Sequence, residues 1–157
     1  MFVTHDQTEA LATGDRVAVM RAGRIEQLGS PTDVFHAPCS RFVAGFMGDA
    51  SFLPVRGDDG RLVTELGDLT GGPWAGDGPA VAVARPDDVT FEPATDGGAE
   101  IIGAEFRGPT WTYTLRLPSG TVVRSSRSHL VRLPIGATAH VALVPGHRLV
   151  AVADDEA

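Results

Sequence analysis

A chain of 157 residues suits one ordinary domain or two small ones, and 43% hydrophobic with 21% charged residues is ordinary for a soluble globular fold. The formal charge of −7 argues against a nucleic-acid surface, which needs a basic patch. No apolar run approaches the roughly 18 residues of a membrane span, no signal peptide is visible, and one cysteine, Cys39, excludes an internal disulfide framework, so a cytoplasmic setting is the expectation.

In chain order, Met1-Phe2-Val3 reads as the stub of a buried strand. Asp6 followed by Glu9 predicts a capping box opening a helix that runs through Ala10, Leu11 and Ala12 and stops at Gly14 in a left-handed conformation. Arg16 to Met20 and Arg24 to Leu28 predict paired strands joined at Ala22-Gly23. Ser30-Pro31-Thr32-Asp33 predicts a second helix start, with serine as cap and proline at the first helical position. The i, i+4 pairs Phe42/Phe46 and Val43/Met47 predict a third short helix from Ser40 to Met47, ending at Gly48.

After residue 50 the pattern changes to short β-like runs: 52–56, 61–66, 80–85, 100–107, 112–117, 121–126, 137–144 and 149–152. Gly57-Asp58-Asp59-Gly60 and Pro118-Ser119-Gly120 are hairpin turns by composition, and residues 67–78 read as a long exposed loop. So many short strands with little helix predict a mainly β fold, a small barrel or sandwich, from residue 51 to 157, after a small α/β segment at 1–50. The chain contains no internal repeat.

The ordered block Val3-Thr4-His5-Asp6-Gln7, Glu9-Ala10, Asp15-Arg16-Val17-Ala18-Val19-Met20, Gly23-Arg24-Ile25 and Gln27-Leu28-Gly29 resembles one continuous stretch of ABC-transporter ATPase subunits. The similarity is narrower to the ATPases of bacterial importers for sugars, polyamines and ferric iron, and it continues through Pro31-Thr32-Asp33-Val34-Phe35, Pro38 and Arg41 to Gly48. That family often has asparagine before the following aromatic and Leu-Pro, where this chain has Ala50-Ser51-Phe52-Leu53-Pro54. The rest resembles, more loosely, the accessory TOBE domain of those importers. The residues that carry it are Ala84-Arg85-Pro86-Asp87-Asp88-Val89, like that domain's Arg-Pro-acid motif before a strand, and the 108–117 hairpin region. The resemblance implies an OB-like barrel or sandwich.

It also implies that His5 is the switch histidine, which contacts the γ-phosphate of ATP and helps position the attacking water. Phosphoryl transfer depends on such positioning and charge stabilisation, and a histidine can donate at one ring nitrogen while accepting at the other. From the local tripeptide alone, a histidine beside a helix cap is an equal alternative. A P-loop, G-x-x-x-x-G-K-[ST], requires a lysine; all 13 Lys+Arg of this chain are arginine, so the loop is absent from it. Leu69-Thr70-Gly71-Gly72-Pro73 imitates the family's Leu-Ser-Gly-Gly-Gln signature, and residues 149–153 before Asp154-Asp155-Glu156 imitate Walker B. Both follow His5, whereas the family places both motifs before it; they read as a loop and as a last strand with a solvated acidic tail.

The expectation is a C-terminal piece of an importer ATP-binding subunit, not an enzyme by itself, without cofactor, while its parent would use ATP and Mg²⁺ to drive solute uptake. The resemblance implies a homodimer formed through the TOBE-like domain, and contact with permease subunits at the inner face of the membrane. A stand-alone OB-like domain binding an oxyanion, metal ion or sugar is the alternative. Asp87 and Asp88 suit a ligand pocket or, more ordinarily, a turn, with Arg85 beside them. Trp111 and Tyr113 alternate along a strand and share a face, for a stacking platform or, more commonly, core or dimer interface. His129, His140 and His147 match no compact metal spacing, and Cys39 has no neighbouring histidine or lysine to activate it.

Overall fold

The computed structural model describes residues 3–58, 61–69, 76 and 78–156. Its first part is a small α/β arrangement. Helix α1 (Gln7–Thr13) is followed by strands β1 (Val17–Arg21) and β2 (Arg24–Gly29), then by helices α2 (Pro31–His36) and α3 (Arg41–Phe46). Each helix begins with a side-chain cap: Asp6, Ser30 and Ser40 accept the backbone N–H of Glu9, Asp33 and Val43. The β1–β2 turn is Ala22-Gly23 with both φ angles positive, 48° and 79°, the twist a two-residue hairpin requires. Val17 and Val19 project from one face of the hairpin into a small core with Val34, Val43 and Met47. The opposite face carries Met20, Ile25 and Leu28, all exposed.

Three local expectations change. Val3 is 82% exposed and lies outside any strand, while Met1 and Phe2 fall outside the described residues. Gly14 caps α1 at φ −94°, an extended conformation, so the helix ends without a left-handed residue. The capping box is rewired as well. Glu9 accepts from the Thr4 hydroxyl at 2.8 Å, and the Asp6 N–H donates to Thr4 Oγ1 at 3.0 Å.

The remainder is β-structure: β3 (Ser51–Pro54), β4 (Arg56–Asp58), β5 (Arg61–Thr64), β6 (Gly67–Asp68), β7 (Ala80–Ala84), β8 (Val89–Pro93), β9 (Ala99–Phe106), β10 (Thr110–Arg116), β11 (Val122–Ser128), β12 (Thr138–Leu143) and β13 (Val150–Ala153). A five-stranded sheet in the order β11-β10-β9-β12-β8 faces a three-stranded sheet β13-β7-β3, with a further small sheet β4-β5-β6. The sheets do not close into one hydrogen-bonded barrel. The two ends of the larger sheet instead meet through scattered bonds: the Ser126 N–H donates to Pro86 O at 2.7 Å, the Ser125 hydroxyl donates to Val89 O, and Arg127 donates to Thr90 Oγ1 at 3.0 Å. The core between the sheets contains Phe91, Ile101, Tyr113, Leu115 and Val123, all essentially inaccessible to water. Gly97 crosses directly against the backbone of Ala139, where any side chain would collide with main-chain atoms.

Strand β8 is absent from the runs read by composition, although the Arg-Pro-acid resemblance implies a strand after Val89. The expected loop at 67–78 begins with β6, and Leu69 is buried and bridges to Leu149. Residues 70–75 and 77 lie outside the described residues, as do Asp59 and Gly60 of the expected turn. The turn at Pro118-Ser119-Gly120 forms as expected, with Gly120 at φ 89°.

Helix α3 joins the two parts. Val43 and Met47 face the small N-terminal core, whereas Ala44 packs on Val81, Val83 and Val152 of the three-stranded sheet.

Candidate functional site

The stretch Arg85-Pro86-Asp87-Asp88 leaves the buried strand β7 as a four-residue turn. Proline at its second position pre-sets φ, the Asp88 N–H donates to Arg85 O at 3.0 Å, and Asp88 Oδ2 accepts the Arg85 N–H at 2.7 Å. This turn aims the Arg85 side chain inward, and only 6% of the residue reaches solvent. Its Nη1 donates to the carbonyls of Ala44 (2.9 Å), Gly48 (3.1 Å) and Asp49 (3.3 Å), and Nη2 to that of Phe35 (3.4 Å). Phe35 and Ala44 belong to the last turns of α2 and α3, and Gly48 and Asp49 to the segment just after α3, so the cation also complements the negative helix ends. The guanidinium lies 4.3 Å from the centre of the Phe35 ring. Burial pulls its pKa below the ordinary arginine value, with Asp88, Asp87 and Asp49 opposing the shift. Arginine stays protonated at neutral pH regardless.

Beside this strut lies a cleft of about 690 Å³ between α2 and the β7–β8 turn, lined by His36, Arg85, Asp87, Asp88, His147 and Arg148 among others. His147 Nε2 sits 3.0 Å from Asp88 Oδ1, and Asp87 stands exposed at the rim. Arg85, Asp87 and Asp88 are thus brought together with two histidines and a second arginine. Among the described residues, no group of three or more His, Cys, Asp or Glu is arranged to hold a metal.

Trp111 and Tyr113 occupy a different place, on β10. Tyr113 is fully buried; its hydroxyl donates to Val131 O at 3.1 Å and accepts the Leu133 N–H at 3.0 Å. Trp111 is half-buried, with ring centres 6.4 Å from Tyr113 and 5.0 Å from Phe106, and Arg132 stands 6.0 Å over its ring. Phe106 and Ile135, which lie beside Trp111, are 59% and 63% exposed, so Trp111 leads from the core to an apolar surface strip.

His5 is exposed and precedes the Asp6 cap of α1 directly. His140 pairs with Asp96 at 3.1 Å on the surface. Cys39 stands beside the cap of α3; burial is the main cause that raises its thiol pKa, and its Sγ points at Glu26 O, 3.5 Å away.

Sequence reasoning missed one charged assembly. The acidic residues after β13, expected as a solvated tail, are ion-paired, although Asp155 and Glu156 remain exposed. Asp154 pairs with Arg41 at 3.1 Å, Glu156 with Arg41 Nε at 3.2 Å, and Asp155 with Arg21 at 2.8 Å. Asp155 Oδ1 also accepts the Phe42 N–H at 3.0 Å, at the start of α3. The partners are separated by more than a hundred residues, so no local pattern signals them.

The TOBE domain family matches residues 82–150. The chain is 49% identical over 100 residues to the sulfate/thiosulfate import ATP-binding protein CysA of Rhodopseudomonas palustris, covering 62% of this chain and 28% of that protein. It is 42% identical over 104 residues to the Fe(3+) ions import ATP-binding protein FbpC of Brucella abortus, covering 62% and 30%. With FbpC 2 of Rhodococcus jostii it shares 37% identity over 152 residues, 95% of this chain and 42% of that protein. The chain therefore spans less than half the length of these curated relatives.

Proposed function

We propose, for a chain that carries a TOBE domain and whose relatives are ATP-binding subunits of ABC importers, that it is the regulatory and dimerising C-terminal part of such a subunit. The observation that carries this reading is the similarity over 152 residues, 95% of the chain, which takes in both the α/β segment and the β-sandwich. The division falls at residues 50 and 51, with α3 on one side and β3 on the other. In the assembled subunit His5 would act as switch histidine toward the γ-phosphate, from an exposed position ahead of the α1 cap. With no lysine in these 157 residues, the groups that cradle ATP and Mg²⁺ come from outside them, and the chain alone does not turn over nucleotide. Coupling to solute uptake then runs through permease subunits, which hold the protein at the cytoplasmic face of the membrane. No helix among the described residues is long and apolar enough to cross it.

Self-association would use the strip around Trp111, since exposed apolar patches of this kind mark interaction surfaces. Light scattering across a concentration series tests this part: the chain should dimerise, and Phe106→Asp should return it to a monomer. A wild-type chain that stays monomeric at high concentration overturns the dimer. A Mg-ATP titration by calorimetry should be flat, and saturable binding would overturn the statement that the nucleotide site lies elsewhere.

A further inference from the structure

We propose that Asp154, Asp155 and Glu156 form an ionic latch on the start of α3, which sets whether the N-terminal segment moves with the β-sandwich or independently of it. The inference rests on the geometry of this junction alone and not on the transporter reading. Helix α3 is gripped at both ends by groups from the β-sandwich. At its C-terminal end the buried Arg85 guanidinium takes the carbonyls of Ala44 and Gly48, and at its N-terminal end Asp155 takes the Phe42 N–H. Each grip matches the partial charge of the helix end it meets.

The two grips differ in kind. Arg85 is enclosed, and its bonds are not open to screening. The latch is half open to water: the side chains of Arg21 and Asp155 are 42% and 29% exposed, and Glu156 is 49% exposed. Two cation–π contacts bind it to both sides of the junction, Arg21 over Phe42 at 4.4 Å and Arg41 over Phe52 at 4.6 Å. A parallel bridge between Ser40 and Ala153 brings the acidic residues into register. Arg21 belongs to β1, Arg41 to α3 and Phe52 to β3, so the three carboxylates tie together elements from both parts of the molecule. The two main cores lie on either side of the junction, and the apolar contact across it is the small cluster of Ala44 with Val81, Val83 and Val152, so opening the latch leaves both main cores intact.

The test is amide hydrogen exchange on the whole chain, wild type against Asp154→Asn/Asp155→Asn/Glu156→Gln. These changes keep the side-chain shape, remove the charge and leave each residue one acceptor oxygen, the other becoming an NH2 donor. The latch predicts that α3 amides from Val43 to Met47 exchange about tenfold faster in the variant, a size expected from losing three partly exposed ion pairs, while β10 amides at Tyr113 and Leu115 keep their rate. It also predicts that about 1 M NaCl, where the screening length is about 3 Å, speeds α3 exchange in the wild type and adds nothing in the variant. Unchanged α3 exchange overturns the latch. So does equal acceleration of α3 and β10, which would mark a merely global loss of stability. Should the variant fail to fold, the wild-type salt series decides: α3 rates indifferent to salt overturn the proposal.

Discussion

The two parts of the molecule keep their shape by different means. Fourteen buried residues among those described form the core of the β-sandwich, with Phe91, Tyr113 and Leu115 at its centre, whereas five form the core of the N-terminal segment. Helix α1 buries no residue at all, and α2 contributes only Val34. Buried area scales with such counts, so the sandwich has the larger hydrophobic reserve. The N-terminal segment makes up the difference with polar devices: three side-chain caps, the Arg85 strut and the carboxylates at 154–156. A part held mainly by capping and charge, with only the small Ala44 cluster joining it to the sheet, is one whose position can be changed without dismantling either main core.

The largest expected effect attacks the sandwich. Phe91→Ala empties a site packed edge-on against Tyr113, with ring centres 5.3 Å apart, and should cost about 3–5 kcal/mol by calorimetry or denaturant titration. Both parts should lose stability together, because α3 is held against the sandwich through Ala44 and the Arg85 strut; an N-terminal segment that keeps its exchange protection in this variant would break the comparison. Next comes Arg85→Met, which strands four carbonyls at the ends of α2 and α3 and should cost about 2–4 kcal/mol. Its effect should appear in α3 amides before those of β10. Arg85→Lys should restore little, since an ammonium is a compact point charge and not a planar fork. Full recovery by lysine would mean that charge alone, and not the spread of donors, holds the junction.

The smallest effect concerns pH. The Cys39 thiol pKa is raised in the fold, so the unfolded chain ionises first as pH climbs. The stability it contributes is complete below the unfolded thiol pKa and is lost as pH rises through the folded value. Thermal unfolding should therefore show a slight alkaline loss that Cys39→Ser removes, and alkylation by iodoacetamide at pH 8 should be slower than for a free cysteine peptide. Equal alkylation rates would show that the surroundings of Cys39 do not suppress its thiolate.

What was legible in the sequence was local. Ser30 with Pro31, Ser40 before an i, i+4 aromatic pair, and Ala22-Gly23 between two apolar runs each encode their structure within about five residues, and each element formed where expected. The change from helical spacing to short alternating runs near residue 50 was legible in the same way, since the three helices precede it and strands β3 to β13 follow it. Strand β8 escaped because Val89–Pro93 ends in a proline at a sheet edge, which weakens its strand pattern. The role of Arg85 escaped for another reason. An arginine beside two aspartates reads as surface chemistry, and only the turn at Pro86 reverses it into the interior. The pairs of Arg21 and Arg41 with the acids at 154–156 lie far apart in sequence, and spacing rules do not reach that far.

The way the larger sheet ends has a consequence for how this protein meets other chains. Strand β11 turns back on the β7–β8 turn and on β3, where the N–H groups of Ser126 and Arg124 are taken by Pro86 O and by Ser51 Oγ at 3.0 Å. Strand β13, at the margin of the smaller sheet, is met by Ser40. Backbone groups that are already occupied offer no template for an incoming strand. Growth into fibrils by edge-to-edge addition is thereby discouraged, and contacts with another molecule fall to side chains on the faces, where single substitutions can tune them.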